Sequence, residues 1–477
     1  MSVGARATQA AGWSLGGFAL GQILRLTGNL VLTRLLYAEA FGLLAIASVL
    51  LQGLTLFSDL GIGPSIIQNR RGDDRDFLNT AFTVQAARGV LLTSIAALGA
   101  WPFAAFYEEP QLLAIVPVVG LTAFLQGLNS TKVFTVGRQL DLKRLTLVEL
   151  ASQAVGIAVM VAWALLSATL WALVAGGLTS ALLKMVLSHV ALRGPQDRLQ
   201  WHGPSLRSLF GFGKWIFVST IMTFLAGQSD RLIFGKLVSM ELLGIYSIGA
   251  MLALMPQQAF YRIEQRVVFP VYSRVYLAGQ DLAATFRRVR GAFLTAGGYT
   301  VAGLIAGGPI AVDLLYDDRY LDAGWIVQYL AVGTWLGLVQ STHGAALLAM
   351  GQARWVAAAS FCKILGILAL VPLGYQLAAF PGAVAGYSLS ELLRCVALTV
   401  GARQYGLRDL PQDFLLSAAI AASALAGQLA GQALGRAGLG VAIQAGGLFL
   451  VVTLLWLPLG YPHLRGAFER MRAARAA

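Results

Sequence analysis

The chain has 477 residues, of which 57% are hydrophobic and only 12% charged, with a formal net charge of +13. Ordinary soluble domains carry about 25% charged residues, so too little polar surface is present to cover a water-soluble globule of this length, and a bilayer protein is expected. The basic balance is not that of a nucleic-acid binder, because the cations sit in short loops between apolar runs.

Apolar stretches of about 20 residues predict roughly fourteen transmembrane helices. In chain order they cover 10–36, 41–66, 77–104, 111–137, 145–166, 169–192, 211–235, 242–264, 287–312, 324–350, 354–378, 381–402, 413–434 and 439–461. The first run follows Arg6 and contains Arg25 and Arg34, a poor match to a cleaved signal peptide, and reads as a retained first helix. Alternate connections are basic: Arg70, Arg71 and Arg75; Arg138, Lys143 and Arg144; Arg193, Arg198 and Arg207; Arg274, Arg287, Arg288 and Arg290; Arg403 and Arg408; then Arg465, Arg470, Arg472 and Arg475. Basic loops resist translocation, so these are expected to face the cytoplasm, as are both termini. The intervening connections, such as Glu108-Glu109 and Asp317-Asp318, are acidic or neutral and are expected to face outward.

Asn29 to Leu50 is written a second time, more loosely, from Arg231 to Leu252. At a constant offset of 202 (231 − 29), Leu30 falls on Leu232, Leu35 on Leu237, Glu39 on Glu241, Gly42 on Gly244, Ile46 on Ile248 and Leu50 on Leu252. Six spans separate the copies, so both insert the same way up, as a parallel repeat. The expected organisation is an N-terminal six-helix lobe over 1–192, a cytoplasmic linker over 193–210 and a C-terminal six-helix lobe over 211–402. Two additional helices and a basic tail follow over 403–477. Doubling of this kind suggests transport.

Polar residues recur at helical spacing inside the apolar runs. Gln22, Arg25 and Asn29 share one face of the first span, and Ser48, Gln52, Thr55 and Asp59 form a seam along the second. Gln85 with Arg88, and Thr122 with Gln126 and Asn129, continue the pattern in spans three and four. Lys132, Lys184 and Lys214 lie nearer the cytoplasmic ends, where snorkelling is an equal account. In the second half Asp230-Arg231, Gln257, Gln258, His343, Lys363 and Glu391 interrupt apolar sequence. A single such residue is explained by an interhelical hydrogen bond or ion pair; together they favour a hydrated, net cationic cavity between two lobes. Glycines at small-xxx-small spacing, such as Gly12 and Gly16, are assigned to helix packing. The two cysteines, Cys362 and Cys395, have no partner at ligand spacing, so neither a disulfide framework, a metal site nor a cofactor is expected.

The hairpin text Leu32-Thr33-Arg34-Leu35-Leu36-Tyr37-Ala38-Glu39-Ala40-Phe41-Gly42-Leu43, followed by Phe57-Ser58-Asp59-Leu60-Gly61-Ile62-Gly63, resembles bacterial polysaccharide flippases. Ser229-Asp230-Arg231-Leu232-Ile233-Phe234-Gly235-Lys236, with Gly244-Ile245-Tyr246, is similar to the start of their second half. The resemblance implies a non-enzymatic flippase of the polysaccharide-transporter branch, in the superfamily that includes lipid II flippases and multidrug exporters. It would move undecaprenyl-pyrophosphate-linked oligosaccharide across the bacterial cytoplasmic membrane by alternating access, for surface polysaccharide synthesis. The charged pair that lipid II relatives carry in the first span corresponds here to Gly28-Asn29.

On that reading Arg25 and Arg88, with Lys132 and Arg231, neutralise the pyrophosphate, while Gln22, Asn29, Gln52, Gln126 and Asn129 bond to sugars. Asp59, Asp230, His343 and Glu391 are candidates for coupling. Expected partners are the lipid-linked oligosaccharide and membrane lipid, with a polysaccharide polymerase and chain-length machinery as further candidates. The alternatives are a drug or metabolite exporter on the same scaffold, and a membrane glycosyltransferase, polymerase or ligase using Glu108-Glu109 or Asp317-Asp318. The latter generally need a sizeable extracytoplasmic loop, and no connection here is long enough.

Overall fold

The computed structural model describes the backbone of residues 3–58, 62–68, 71–138, 141–407 and 410–476. It describes their side chains except those of 3–11, 15, 57, 64, 68, 138, 207–223 and 461–476. The first unit contains α1 (Val3–Leu35), α2 (Ala38–Phe57), α3 (Ile62–Gln68), α4 (Arg75–Tyr107), α5 (Leu112–Gly127), α6 (Lys132–Arg138), α7 (Leu142–Leu166), α8 (Trp171–Val190) and α9 (Gly203–Leu237). After α10 (Met240–Ile263) come α11 (Phe269–Leu277), α12 (Leu282–Leu315), α13 (Ala323–Ala349), α14 (Ala353–Gln404), α15 (Leu410–Arg436) and α16 (Val441–Ala476).

The expected spans fall mainly on helix, and against the fourteen expected, ten helices among the described residues are by length and composition sufficient to cross a membrane. Helices satisfy every backbone donor internally, which hydrocarbon demands. The chain is an all-α, multi-pass membrane protein.

Five spans differ from their expected form. The second is divided between α2 and α3, and the fourth between α5 and α6. The Ser58 hydroxyl turns back to the carbonyls of Leu54 and Thr55, at 2.8 and 3.1 Å, as α2 ends. The eighth span does not stop at 264: a π-helical turn over Glu264–Val268 carries it into α11. Spans eleven and twelve run together as α14, reversing at Ala378 and Ala379, where Ala379 takes φ 49° and ψ −139°. A non-glycine residue there stores about 1–3 kcal/mol of strain. The two arms touch through glycine: a Cβ on Gly374 would overlap the Gly382 carbonyl, and one on Gly386 the Leu370 carbonyl.

Contacts divide the chain into Met1–Gly244 and Ile245–Ala477. In the first unit α1 lies on α7, α4 on α5 and α7 on α8, while α9 packs on α2 and α4. Residues 193–202, expected as linker, run along the first turns of α4. Backbone N–H groups of Arg198, Gln200 and His202 donate to Asn79, Thr83 and Thr80 at 3.0, 2.8 and 3.1 Å. In the second unit Phe286, Leu294, Trp335, Ile420 and Trp456 share one apolar core. The indoles of Trp335 and Trp456 donate to the Ser417 hydroxyl and the Thr295 carbonyl, both at 2.8 Å, fastening α15 and α16 to α12 and α13.

Candidate functional site

The first unit encloses a cavity of about 890 Å³ lined from α2, α4, α5, α6, α7 and α8. That lies in the upper part of the roughly 300–1,000 Å³ typical of small-molecule sites. Its polar lining is Ser48, Gln52 and Thr55 of α2, Gln85 and Arg88 of α4, Thr122 and Gln126 of α5, Asn129, and Ser180 and Lys184 of α8. Two cations and no carboxylate line it among the described residues. Lys184 shares its charge with Glu149, a residue outside the lining, at 2.9 Å, so Arg88 dominates the interior field.

The two interrupted spans set this chemistry. A helix that stops short leaves its last carbonyls unpaired and an effective negative charge at its C-terminus. α4 supplies both partners from neighbouring turns. Arg88 donates from Nε to the Ser58 hydroxyl at 2.8 Å and from Nη2 to the Thr55 carbonyl, at the end of α2. One turn earlier, Gln85 donates to the carbonyls of Gly127 and Asn129 at 3.1 and 2.9 Å, at the end of α5. The Asn129 side-chain oxygen is buried beside them without a hydrogen-bond partner. An acceptor left dry costs about 1–3 kcal/mol, so this site suits a ligand that brings a hydrogen-bond donor.

Below Asn129 the chain is held by polar contacts. The Asp197 carboxylate accepts from the Ser130 hydroxyl at 2.5 Å, and from the hydroxyl and N–H of Thr131. Lys132 is buried, and its ammonium donates to the His189 carbonyl at 2.8 Å, where α8 ends. No sequence signal marks Asp197, which lies outside every apolar run.

Of the nine expected binding residues, the cavity therefore unites Gln52, Arg88, Gln126 and Asn129. Gln22, Arg25 and Asn29 lie on α1, outside the lining, with Arg25 exposed. Lys132 turns to His189, and Arg231 on α9 donates to the Gln228 side chain at 2.9 Å. Lys184 and Ser180 join the lining although the sequence marked Lys184 only as a snorkelling candidate.

Of the coupling candidates, Asp59 lies outside the described residues, and Asp230 is buried on α9. His343 is buried on α13 with Nδ1 3.2 Å from the Val339 carbonyl. Glu391 pairs with Lys363 at 2.5 Å and accepts from the Gln340 amide at 2.6 Å.

At the end of the first unit that carries Glu108, the two copies of the repeat meet. A Cβ on Gly42 would overlap the Met240 carbonyl, and one on Gly244 the Ala38 carbonyl. Because 42 and 38 map onto 244 and 240 at the repeat offset, these are one contact made twice. Tyr107 donates to the Leu232 carbonyl at 3.2 Å, and Lys236 pairs with Glu108 at 2.5 Å. The hydrogen bond and charge of Lys236 hold the Glu108 carboxyl below its ordinary value of 4.5. A lowered carboxyl pKa contributes above the ordinary value and loses that contribution as pH falls through the lowered one. Cross-linking of Glu108→Cys to Lys236→Cys removes the pair itself, so distance labels on Gln111 and Leu237 are the suitable readout. Their separation is expected to hold steady at neutral pH and broaden on acidification, and Glu108→Gln is expected to remove the pH response.

Residues 31–324 match the family described as polysaccharide biosynthesis protein. The teichuronic acid biosynthesis protein TuaB of Bacillus subtilis is 21% identical over 308 residues, 62% of this chain and 61% of its own length, so the chain spans less than two thirds of that relative. The lipopolysaccharide biosynthesis protein WzxC of Escherichia coli is 22% identical over 401 residues, covering 83% of this chain and 80% of its own. Among solved structures, the lipid II flippase MurJ in an inward closed conformation superposes with a TM-score of 0.73 at 12% identity, over 96% of this chain and 99% of its own. An inward-facing multidrug resistance MATE family transporter gives 0.65 at 12% identity, over 80% and 94%. At such identity the likeness is one of fold. Since the family match takes in more than half of the sequence, this membrane protein belongs to the polysaccharide biosynthesis protein family.

Proposed function

We propose that the protein is a flippase that carries undecaprenyl-pyrophosphate-linked oligosaccharide from the inner to the outer leaflet of the bacterial cytoplasmic membrane by alternating access. The observation that carries this reading is the cavity of the first unit, polar, of about 890 Å³, with Arg88 inside and no carboxylate in its described lining. A sugar hydroxyl crossing hydrocarbon unpaired costs at least about 1–3 kcal/mol, and a pyrophosphate far more. Gln52, Gln126 and Asn129 offer hydrogen-bond partners to the sugar, Arg88 offers charge to the phosphate, and the prenyl tail stays in lipid. A cationic lining suits anionic cargo better than the cationic drugs of the exporter alternative.

On this reading 1–192 and 211–402 act as two six-span lobes, 193–210 as the cytoplasmic connection and 403–477 as an appendage. Both termini lie in the cytoplasm, and a polymerase and chain-length machinery act downstream. Moving one negative charge outward is favoured by about 2.3 kcal/mol per 100 mV of inside-negative potential, so the potential itself assists export.

The test is complementation. Expression in bacteria deleted for their own flippase is expected to restore surface polymer and clear the accumulated lipid-linked precursor. Full membrane insertion with no restoration in any strain of related polymer chemistry would overturn the reading.

A further inference from the structure

The second unit holds a buried acid for which the cavity has no use. Glu264 opens the π-helical turn between α10 and α11 and is 4% exposed. Its carboxylate reaches the Ser341 hydroxyl of α13, but Oε2 has no hydrogen-bond partner and the residue makes no ion pair among the described residues. The other buried charges of this unit are matched: Arg290 with Asp413 at 2.5 Å, and Lys363 with Glu391 at 2.5 Å. A lone buried carboxylate is expensive, and it is relieved either by a proton or by a cation that moves to it.

That cation is at hand. Arg394 on α14 acts on Glu264 through space, and its Nε is buried without a partner. Tyr272 on α11, whose hydroxyl is also unpartnered, faces Glu264 and Arg290 on α12. Arg290 in turn faces Asp413 on α15 and His343 on α13. On its own helix Glu264 is flanked in sequence by Arg262 and Arg266, both exposed. An extra residue in the helical turn gives the backbone a second register within reach, and π turns of this kind gather at functional sites.

We propose that Glu264 is a proton-binding site that couples transport to the proton gradient, an assignment that rests on the transport reading. Protonated, the carboxyl is neutral and leaves Arg394 facing Glu391, which Lys363 already neutralises; on losing its proton to water it becomes an anion, draws the Arg394 guanidinium into an ion pair and shifts the α10–α11 junction against α13 and α14. One proton and one unit of charge are exchanged per cycle.

The experiment uses the full chain in lipid nanodiscs, with Cys362 and Cys395 replaced by alanine and spin labels at Ala168 and Asp318, both exposed. Wild-type protein is expected to change its distance distribution with pH around one midpoint, and Glu264→Gln to keep the low-pH distribution at every pH. Arg394→Gln is expected to move the midpoint to higher pH, which keeps the test open if Glu264→Gln does not fold. In complemented cells Glu264→Gln is expected to lower surface polymer about tenfold. A wild-type distribution indifferent to pH, or a Glu264→Gln protein that titrates like wild type, overturns the assignment. Neither readout of distance involves a saccharide, so either failure is distinct from failure of wild-type complementation, which would sink the flippase reading instead.

Discussion

Arg88→Ala is expected to lower surface polysaccharide by about a hundredfold or more while the protein still reaches the membrane. Two losses combine. The cavity loses its interior charge, and the end of α2 loses the donor that meets the Ser58 hydroxyl and the Thr55 carbonyl. A charged hydrogen bond of this kind contributes about 1.5–3 kcal/mol, and a cation at a partly buried helix C-terminus up to about 2 kcal/mol. Since about 1.4 kcal/mol is tenfold in a rate or affinity, a deficit near 3 kcal/mol gives the hundredfold figure. Arg88→Lys keeps the charge but presents a compact ammonium in place of a planar fork, so it is expected to recover only part of the export. Polymer staining of complemented cells, normalised to protein in the membrane fraction, is the measurement. Undiminished polymer in Arg88→Ala cells would remove the cavity from the mechanism.

Gly42→Val and Gly244→Val are expected to give the second-largest loss, and to give it equally. Each new side chain would enter the opposite helix's backbone, at Met240 or Ala38, where no rotamer change offers room. Forcing atoms into a close-packed contact costs about 1–3 kcal/mol, occasionally more, which shifts a two-state closure by about 5–150-fold. The expected readout is a longer, broader separation between distance labels on Gln111 and Leu237, in a protein lacking Cys362 and Cys395, alongside lower export. Strongly unequal effects of the two substitutions would argue against the symmetric crossing.

The crossing was legible in part because the doubling is a matter of register: a fixed offset pairs Gly42 with Gly244 without any structure. The helical spans were legible too, since hydropathy averages over the same length that a bilayer imposes. What averaging hides is a local stop. Nothing in the mean hydropathy near Ser58 or Leu128 to Thr131 reveals that α2 and α5 end there, so Gln85 and Arg88 read as a polar stripe and not as partners of two helix ends. Lys363 and Glu391 are 28 residues apart (391 − 363) in apolar sequence, and only the reversal at Ala378 and Ala379 brings them together. Glu264 carries no such signal because the apolar run closes there in the sequence, whereas the π turn sets it within a longer helix.

The reversal at Ala378 and Ala379 also bears on biogenesis. A turn of two alanines offers the insertion machinery no hydrophilic segment to push across the bilayer, so the arms of α14 must enter together as a single pin. The cues that fix its direction are then left to its base, where Arg354 and Arg403 stand near the two ends and the Arg354 guanidinium donates to the Tyr405 hydroxyl at 3.2 Å. With cations at its base and only alanine at its tip, the pin has one favourable way to enter.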